Sequence, residues 1–529
     1  MKKNYSFEAI IIICLAILLV SCKSDIKQSA FVKPNIVLIM ADDMGYSDIG
    51  SYGGEIQTPN IDRLAEGGLR FTQFYNNAIC VPTRASLLTG LYSQQVGVYA
   101  NSPKVMKNSV TLAEVLRKEG YRTLMTGKWH AQEIPVERGF DHYFGLTDGC
   151  CNYFNPGPQR PGEKNPGRKP WPREWPHWRQ WAIEDQVFLP YKPENKDFYT
   201  TDAFTDYALE YLNQKEKEDK PFFLYLAYTA PHYPLHAWPE DIAKYQGKYM
   251  MGWDKLREER YQRMRKMKLI DDSWPLSPRD PDVASWADIE NKEEWDLRMA
   301  VYAAMIDRMD QNIGRILSRI HEMGQEDNTL IIFLSDNGGC AGEANFTPDI
   351  SPGPVESYRS VDPPWANASN TPFRKYKVWD YEGGIHTPMI AYWPAVIKNG
   401  GQITDQVGHI IDIMATFVDV AGAKYPLIYG EKEIVPLEGK SLLPVFQGRE
   451  REGHEALYWQ IENGRHRAIR KGKWKMVSRS PQDPWELYDL DVDRTELHDL
   501  AGQYPVIVSE LSEMWESWAI RCGIPINDG

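Results

Sequence analysis

Three scarcities bound what this chain of 529 residues can be. Cysteine is rare, seven residues in all, and no pair stands in C-x-x-C spacing, which excludes a zinc-finger type of structural site. Positive charge is outweighed: 60 Lys and Arg face 73 Asp and Glu, for a formal net charge of −13. That balance argues against a nucleic-acid binder, whose binding face is basic, and any site for an anion must bring its own local cations. Long apolar runs are lacking too. The longest, Ala9–Val20, is too short to span a bilayer comfortably and follows Lys2 and Lys3, so residues 1–21 read as a secretory signal.

What is present suffices for a large core: 42% hydrophobic and 12% aromatic residues, in a chain too long for one small domain. NIVLIM (35–40), PFFLYLAY (221–228), TLIIFLS (329–335) and MIAYWP (389–394) are short and apolar, as strands covered on both faces are. TLAEVLRKEG (111–120) and YAAMIDRMDQNIGRILSRIHEMG (302–324) show helical spacing and end on Gly120 and Gly324. Such alternation predicts an α/β sandwich around a mostly parallel sheet. In these sheets ligands gather at the carboxyl ends of the strands.

Polar clusters follow three of the expected strands. NIVLIM runs into Asp42 and Asp43, PFFLYLAY into TAPH with His232, and TLIIFLS into Asp336 and Asn337. Adjacent carboxylates repel when buried alone, so a bound cation is their natural partner, and carboxylate and amide oxygens suit Ca²⁺ or Mg²⁺ better than zinc. Taken singly, Asp-Asp is often a helix cap and Asp-Asn-Gly often a turn. Three such clusters converging on one sheet edge favour a site.

CVPTRASLLTG (80–90) reads as the start of a helix, with Pro82 in its first turn and Gly90 closing it. Cys80 therefore lies at a helix amino end, where free N–H groups favour an anion. Arg84, one turn on, adds a fixed charge suited to a tetrahedral oxyanion. On the residues alone the thiol is a buried hydrophobe, half a disulfide or a nucleophile.

CVPTRASLLTG resembles the signature of the type I sulfatases, in which the cysteine of C-x-P-x-R becomes Cα-formylglycine. ADDMGYSDIGSYGG, TPNIDRLAEGG, GYRTLMTGKWH, APHYPLHA, LSDNGG and YEGGIHTP resemble further blocks of that family in the expected order, and PWELYDLDVDRTELHDL (484–500) resembles its carboxyl-terminal subdomain. The resemblance implies an alkaline-phosphatase-like α/β fold, with a catalytic domain over 34–445 and a subdomain of an antiparallel sheet and a helix over 446–529. It implies sulfate-ester hydrolysis, on sulfated carbohydrates or aryl sulfates. The formylglycine made from Cys80 by a maturation enzyme hydrates, one oxygen attacks sulfur, and the other expels sulfate.

The same resemblance implies one Ca²⁺ held by Asp42, Asp43, Asp336, Asn337 and the modified Cys80. Arg84 and Lys128 hold the nucleophile and sulfate oxygens, His130 is the base for sulfate release, and His232 protonates the leaving oxygen. Lys377 bridges to the sulfate; it is chosen over Lys375 because the family lysine stands five residues before the glutamate of E-G-G, here Glu382. Thr83 departs from the usual serine of the signature, and Ala131-Gln132 from the usual Leu-Gly after GKWH. A phosphatase or phosphonate monoester hydrolase of the same superfamily is the nearest alternative, but those generally use Ser or Thr with additional histidine ligands. A noncatalytic glycan-binding lipoprotein is the other.

LVSC (19–22) resembles the lipobox of bacterial lipoproteins, which implies a lipid on Cys22, a tether over 22–33 and an exported protein held at the periplasmic or outer-membrane surface. Cys80, Cys150, Cys151, Cys340 and Cys522 are then the remaining thiols, an odd number whose pairing the sequence leaves open. For specificity, Trp171, Trp175, Trp178 and Arg179 in WPREWPHWRQW (171–181) are candidates to line a sugar or aryl pocket, against the alternative of packing under a loop. IENGRHR (461–467) is a weaker candidate edge. The charged stretch 254–268 is expected to be a solvated helix face.

Overall fold

The apolar stretches become strands in the computed structural model, which describes residues 32–99, 105–170, 178–214, 220–461 and 466–525. The large sheet consists of β1 (Asn35–Asp42), β2 (Leu69–Phe71), β3 (Arg122–Gly127), β4 (His142–Leu146), β5 (Trp181–Ile183), β6 (Gln186–Phe188), β7 (Phe222–Pro231), β8 (Thr329–Ser335), β9 (Met389–Tyr392) and β10 (Gln402–Thr404). Their order is β10-β2-β9-β8-β1-β7-β3-β4-β5-β6. The central run β8-β1-β7-β3-β4 is wholly parallel, while β9, β5 and β6 run antiparallel to their neighbours.

Strand β1 shows why its sequence reads as one unbroken apolar run. Val37, Ile39 and Ala41 enter one core and Ile36, Leu38 and Met40 the other, so both faces are buried. The helices α1 (Cys80–Thr89), α2 (Leu112–Lys118), α3 (Thr200–Asn213), α4 (Gly252–Lys266), α5 (Lys292–Glu322) and α6 (Asp412–Val420) supply the covering layers. Leu87 and Leu88 of α1, Leu116 of α2 and Phe417 of α6 lie on the face of Leu38. Phe204 of α3 and Met305 of α5 lie on the face of Ile39. Thr111 caps α2 in a capping box, with the Glu114 N–H donating to Thr111 Oγ1 and the Thr111 N–H to Glu114 Oε2. Helix α5 begins at Lys292, earlier than the apolar repeat from Tyr302 suggests, because its first turns carry Glu293 and Glu294, which suit a helix amino end.

A second sheet, β11 (Leu457–Ile461), β12 (His466–Lys471), β13 (Trp474–Ser478) and β14 (Glu486–Asp489), is antiparallel in chain order. One face packs under α7 (Pro505–Arg521) through Ile469, Met476, Trp515 and Trp518. The other joins the main core through Ala468, Val477 and Trp459. The architecture is the expected one: a mostly parallel sheet between helices, with a small antiparallel sheet and a helix.

One expectation is corrected. Helix α4 is a solvated face on one side only, through Lys255, Glu258, Gln262 and Lys266; on the other, Trp253, Leu256 and Met264 are in the core, and Arg260 is fully buried. Its guanidinium meets Asp48 at 2.7 Å and Glu55 at 2.8 Å. Charge along a helix reads as solvated unless carboxylates elsewhere in the chain meet it inside, and here they do. The described residues from Pro34 on hold together as one compact unit. The signal, Cys22 and the tether up to residue 31 lie outside the described residues. No helix among the described residues is long and apolar enough to cross a membrane.

Candidate active site

Four adjacent parallel strands end at one edge of the sheet and deliver the charged residues there. Strand β1 ends in Asp42 and leads to Asp43, β3 leads to Lys128 and His130, β7 to His232, and β8 to Asp336 and Asn337. Gly127 has φ +105°, and a Cβ on it would lie 1.9 Å from the Ala227 carbonyl oxygen. Only glycine lets β3 approach β7 this closely just before Lys128. Helix α1 begins at Cys80 after Ile79, and Gly90 ends it in the left-handed conformation.

These residues form a buried lattice of charge. Lys128 Nζ lies 2.7 Å from Asp42 Oδ2. Arg84 donates from Nε and Nη2 to Asp336 Oδ2 at 3.1 and 2.8 Å, and from Nη1 to the Lys128 carbonyl at 3.0 Å. Lys377 Nζ is 2.5 Å from Asp43 Oδ1, which also accepts from Asn337 Nδ2 at 2.7 Å. His232 Nε2 is 3.5 Å from Asp43 Oδ2. Its Nδ1 is 2.6 Å from the Tyr233 carbonyl; a carbonyl only accepts, so Nδ1 carries the hydrogen and Nε2 is left to exchange a proton.

Burial splits the titrations of neighbouring groups. Burial pushes Asp42 up to about 8 despite Lys128. Burial acts on Asp43 in the same direction, but His232 and Lys377 outweigh it and hold its carboxyl well below the usual range. Desolvation brings His232 down to about 3. Lys128 and Lys377 are held above their ordinary values: burial opposes this, and nearby Asp42 or Asp43, together with Cys80, prevails. Cys80 lies near enough to Lys128, Lys377 and Arg84 for a negative charge on it to act on all three.

The donor set fits a hard divalent cation. Asp42 Oδ1, Asp43 Oδ2 and Asn337 Oδ1 are buried oxygens with no hydrogen-bond partner, and such atoms are costly unless something else meets them. Ligand atoms of Asp42, Asp43 and His232 all lie within 4.8 Å of one another. With Asp42 ionised, as a bound cation would hold it, Arg84, Lys128 and Lys377 balance the three carboxylates of Asp42, Asp43 and Asp336. A divalent cation would leave two positive charges for an anion at the mouth of α1.

Backbone packing explains why Lys377 stands where it does. A Cβ on Gly338 would lie 1.9 Å from the Gly383 oxygen, and one on Gly383 would lie 2.3 Å from the Lys375 oxygen. The Asp-Asn-Gly-Gly and Glu-Gly-Gly loops therefore interlock by backbone contact, and the Lys377 N–H donates to the Gly339 carbonyl at 3.1 Å. Lys375 turns away to Asp280, 2.8 Å from its Nζ. His130, half-buried, has φ +64°, and its ring lies over Gly149, where a Cβ would come within 3.0 Å of Nε2.

Two groups at the site escape the sequence reading. The Tyr225 hydroxyl of β7 is 3.5 Å from Arg84 Nη1, and the Tyr302 hydroxyl of α5 is 3.2 Å from the Asp43 carbonyl and 2.7 Å from Asp48 Oδ2. Both sit in apolar runs, where a tyrosine reads as core. Of the specificity candidates, Trp171 and Trp175 lie outside the described residues. Trp178 and Arg179 line a cleft, whereas Trp181 is core. Within IENGRHR, 462–465 lie outside the described residues, and His466 sits edge-on to Trp379, 4.7 Å between centroids. Cys80, Cys150, Cys151, Cys340 and Cys522 are all free thiols.

Known proteins share this arrangement of chain and fold. The Sulfatase family model matches residues 34–423, and the model for the carboxyl-terminal region of N-sulphoglucosamine sulphohydrolase matches 374–518. An uncharacterised sulfatase of Schizosaccharomyces pombe is 34% identical over 549 residues, spanning 94% of this chain and 95% of that protein. The arylsulfatase of Klebsiella aerogenes is 32% identical over 441 residues, spanning 78% of this chain and 91% of that one. The solved structure of Ps i-CgsB in complex with k-i-k-neocarrahexaose is similar with a TM-score of 0.66 at 27% identity, covering 92% of this chain and 93% of that one. The chain belongs to the sulfatase family, the sulfuric ester hydrolases of the alkaline-phosphatase-like superfamily.

Proposed function

We propose that this sulfatase removes sulfate from a sulfated carbohydrate, using a formylglycine made from Cys80 and one Ca²⁺ held by Asp42, Asp43, Asp336 and Asn337. The observation that carries the reading is the trio of buried oxygens on Asp42, Asp43 and Asn337 that have no hydrogen-bond partner, set among the cations Arg84, Lys128 and Lys377. The carbohydrate part is supported by the oligosaccharide complex of the similar Ps i-CgsB.

Each side chain then has a definite task. Arg84, Lys128 and Lys377 offset negative charge on the sulfate oxygens in a site from which water is largely excluded, where fixed charges act strongly. His232, with Nδ1 anchored on Tyr233, offers Nε2 to the departing ester oxygen, and His130 takes a proton as sulfate leaves. A formylglycine hydrate at position 80 supplies an oxygen nucleophile and a second hydroxyl through which sulfate is expelled without water attacking sulfur. A Ca²⁺ bound there would supply positive charge that favours the ionised nucleophile and offsets the charge of the sulfate.

Chelation is expected to lower kcat/KM by about 100-fold or more, as loss of a principal electrostatic element does, and Ca²⁺ to restore it. Independently of turnover, Ca²⁺ at 100 times its Kd should stabilise the chelated protein by about 2.7 kcal/mol, read as a raised unfolding midpoint. A midpoint indifferent to Ca²⁺ would refute the ligand set. Lys377→Ala should cost about 10²–10³ in kcat while Lys375→Ala stays near wild type; the reverse ranking, measured on paired sulfate esters, would assign the bridge to Lys375. Faster hydrolysis of a phosphate ester than of the matching sulfate ester would move the assignment to the phosphatase branch.

A further inference from the structure

Asp43 has φ +66°, in the left-handed region that a residue other than glycine keeps only where its surroundings hold it. Its own N–H donates to Asp336 Oδ1 at 3.2 Å, and the N–H of Met44 donates to Ser335 Oγ at 3.1 Å. Both acceptors belong to the carboxyl end of β8. The carbonyl side is held from a different quarter. Tyr302 of α5 brings its hydroxyl within 3.2 Å of the Asp43 carbonyl oxygen and 2.7 Å of Asp48 Oδ2, and the same Asp48 oxygen accepts from the Gly45 N–H at 2.8 Å. We infer that Tyr302 and Asp48, backed by Arg260 of α4, are positioning residues that set Asp43 for the divalent cation and so determine how tightly the cation binds. The inference rests on the proposed cation site and adds to it the groups that stand behind its ligands.

Arg260 fixes Asp48 from the other side. Its Nη1 donates to Asp48 Oδ1 at 2.7 Å, while Nε and Nη2 donate to the two oxygens of Glu55 at 2.8 Å each. Arg260 and Asp48 are both fully buried. A planar fork that meets one carboxylate in two parallel bonds and a second at its tip leaves Asp48 one orientation. Its Oδ2 is thereby aimed at Tyr302 and Gly45.

The same guanidinium also joins the loop of Asp43 to the loop of Asn337. Nη1 lies 3.2 Å from Ser47 Oγ and 3.4 Å from the Ala368 carbonyl. Ser47 donates from its N–H and its Oγ to the Ser369 carbonyl at 3.0 and 2.9 Å, and a Cβ on Gly45 would lie 2.4 Å from that oxygen. The next residue carries the link onward: Asn370 Oδ1 accepts from the Gly339 N–H at 2.9 Å, two residues past Asn337. Arg260 therefore stands where the loops of two ligands meet, without touching either ligand. Ligands fixed in place beforehand need little ordering when the ion arrives, so the groups that fix them act on affinity.

The test is a calorimetric titration of Ca²⁺ into the chelated protein, which reads affinity without turnover. Arg260→Met would strand Asp48 and Glu55 out of water and threaten the fold, so Tyr302→Phe is the better probe: it removes one hydroxyl and keeps the ring in the core. Its Kd should be about 10–100-fold higher than that of wild type, as loss of a group that orients a ligand makes it. Asp48→Asn, which keeps the shape and removes the charge, should raise Kd in the same range. Tyr245→Phe is the control. It deletes another buried hydroxyl packed on α5, 2.8 Å from Asp307 Oδ2, and should lower the unfolding midpoint while leaving Kd at the wild-type value. Sulfate release by Tyr302→Phe should recover as Ca²⁺ is raised past the weakened Kd, which a general structural defect would not allow. Wild-type affinity in both Tyr302→Phe and Asp48→Asn, or an equal loss in Tyr245→Phe, overturns the inference and leaves the cation site standing. A wild-type protein that binds no Ca²⁺ overturns the cation site itself, and the inference with it.

Discussion

Replacing Cys80 by alanine is expected to abolish sulfate release, with kcat falling about 10⁵- to 10⁶-fold, the scale seen when a covalent nucleophile is removed. Alanine suits the first turn of α1 and only shortens the side chain at a position 6% exposed, so the unfolding midpoint should stay close to wild type. Cys80→Ser is the sharper experiment. Serine offers an oxygen among the same cations, Lys128, Arg84 and Lys377, so it can accept a sulfuryl group as the ester O–S bond breaks. It then has no second hydroxyl by which to expel sulfate. The expected result is one equivalent of alcohol released and the protein left sulfated, visible in the mass of the peptide spanning residue 80. Wild-type protein should instead show loss of the cysteine sulfur in that peptide. A Cys80→Ser variant with full steady-state turnover would refute the proposed nucleophile.

The sequence made the central strands legible because both their faces are buried. Ile36 through Met40 have no polar side to blur the signal, and Thr329–Ser335 forms a strand over the span expected. The residues at the strand ends were legible for a related reason: polar groups directly after such a run in a parallel sheet have one edge to go to. Lys377 was chosen by its spacing to Glu382, and the structure supplies the cause of that spacing in the contact between Gly338 and Gly383. What stayed hidden was long-range charge pairing. Nothing local tells that Arg260 is buried against Asp48 and Glu55, residues far away in sequence. Tyr302 was hidden differently, since its helical spacing marks it as core while its hydroxyl reaches the Asp43 backbone.

Lys475→Met is expected to destabilise the protein by about 3–5 kcal/mol, the cost of breaking a buried ion network from one side. Lys475 of β13 is fully buried and meets Glu382 Oε1 at 2.8 Å and Glu496 Oε1 at 2.7 Å. It projects from the same face as Val477, toward the main core, because side chains alternate along a strand. Glu382 also accepts from the Tyr75 hydroxyl at 2.9 Å and lies 3.0 Å from His386 Nδ1, and its own N–H donates to Glu496 Oε2 at 2.8 Å. Burial raises Glu382, but Lys475 outweighs it and holds that carboxyl well below the ordinary range. Methionine fills the volume without the charge, so two carboxylates would be left facing each other out of water. Urea unfolding should report the loss as a lower midpoint at unchanged slope. The damage should also reach the active site, since Glu382 begins the Glu-Gly-Gly turn that fixes the loop of Lys377 and Tyr75 precedes the segment entering α1. Adding Glu496→Gln to Lys475→Met removes one of the stranded charges and should recover part of the stability. A Lys475→Met protein as stable as wild type would mean that the small sheet contributes packing to the catalytic edge and no electrostatic support.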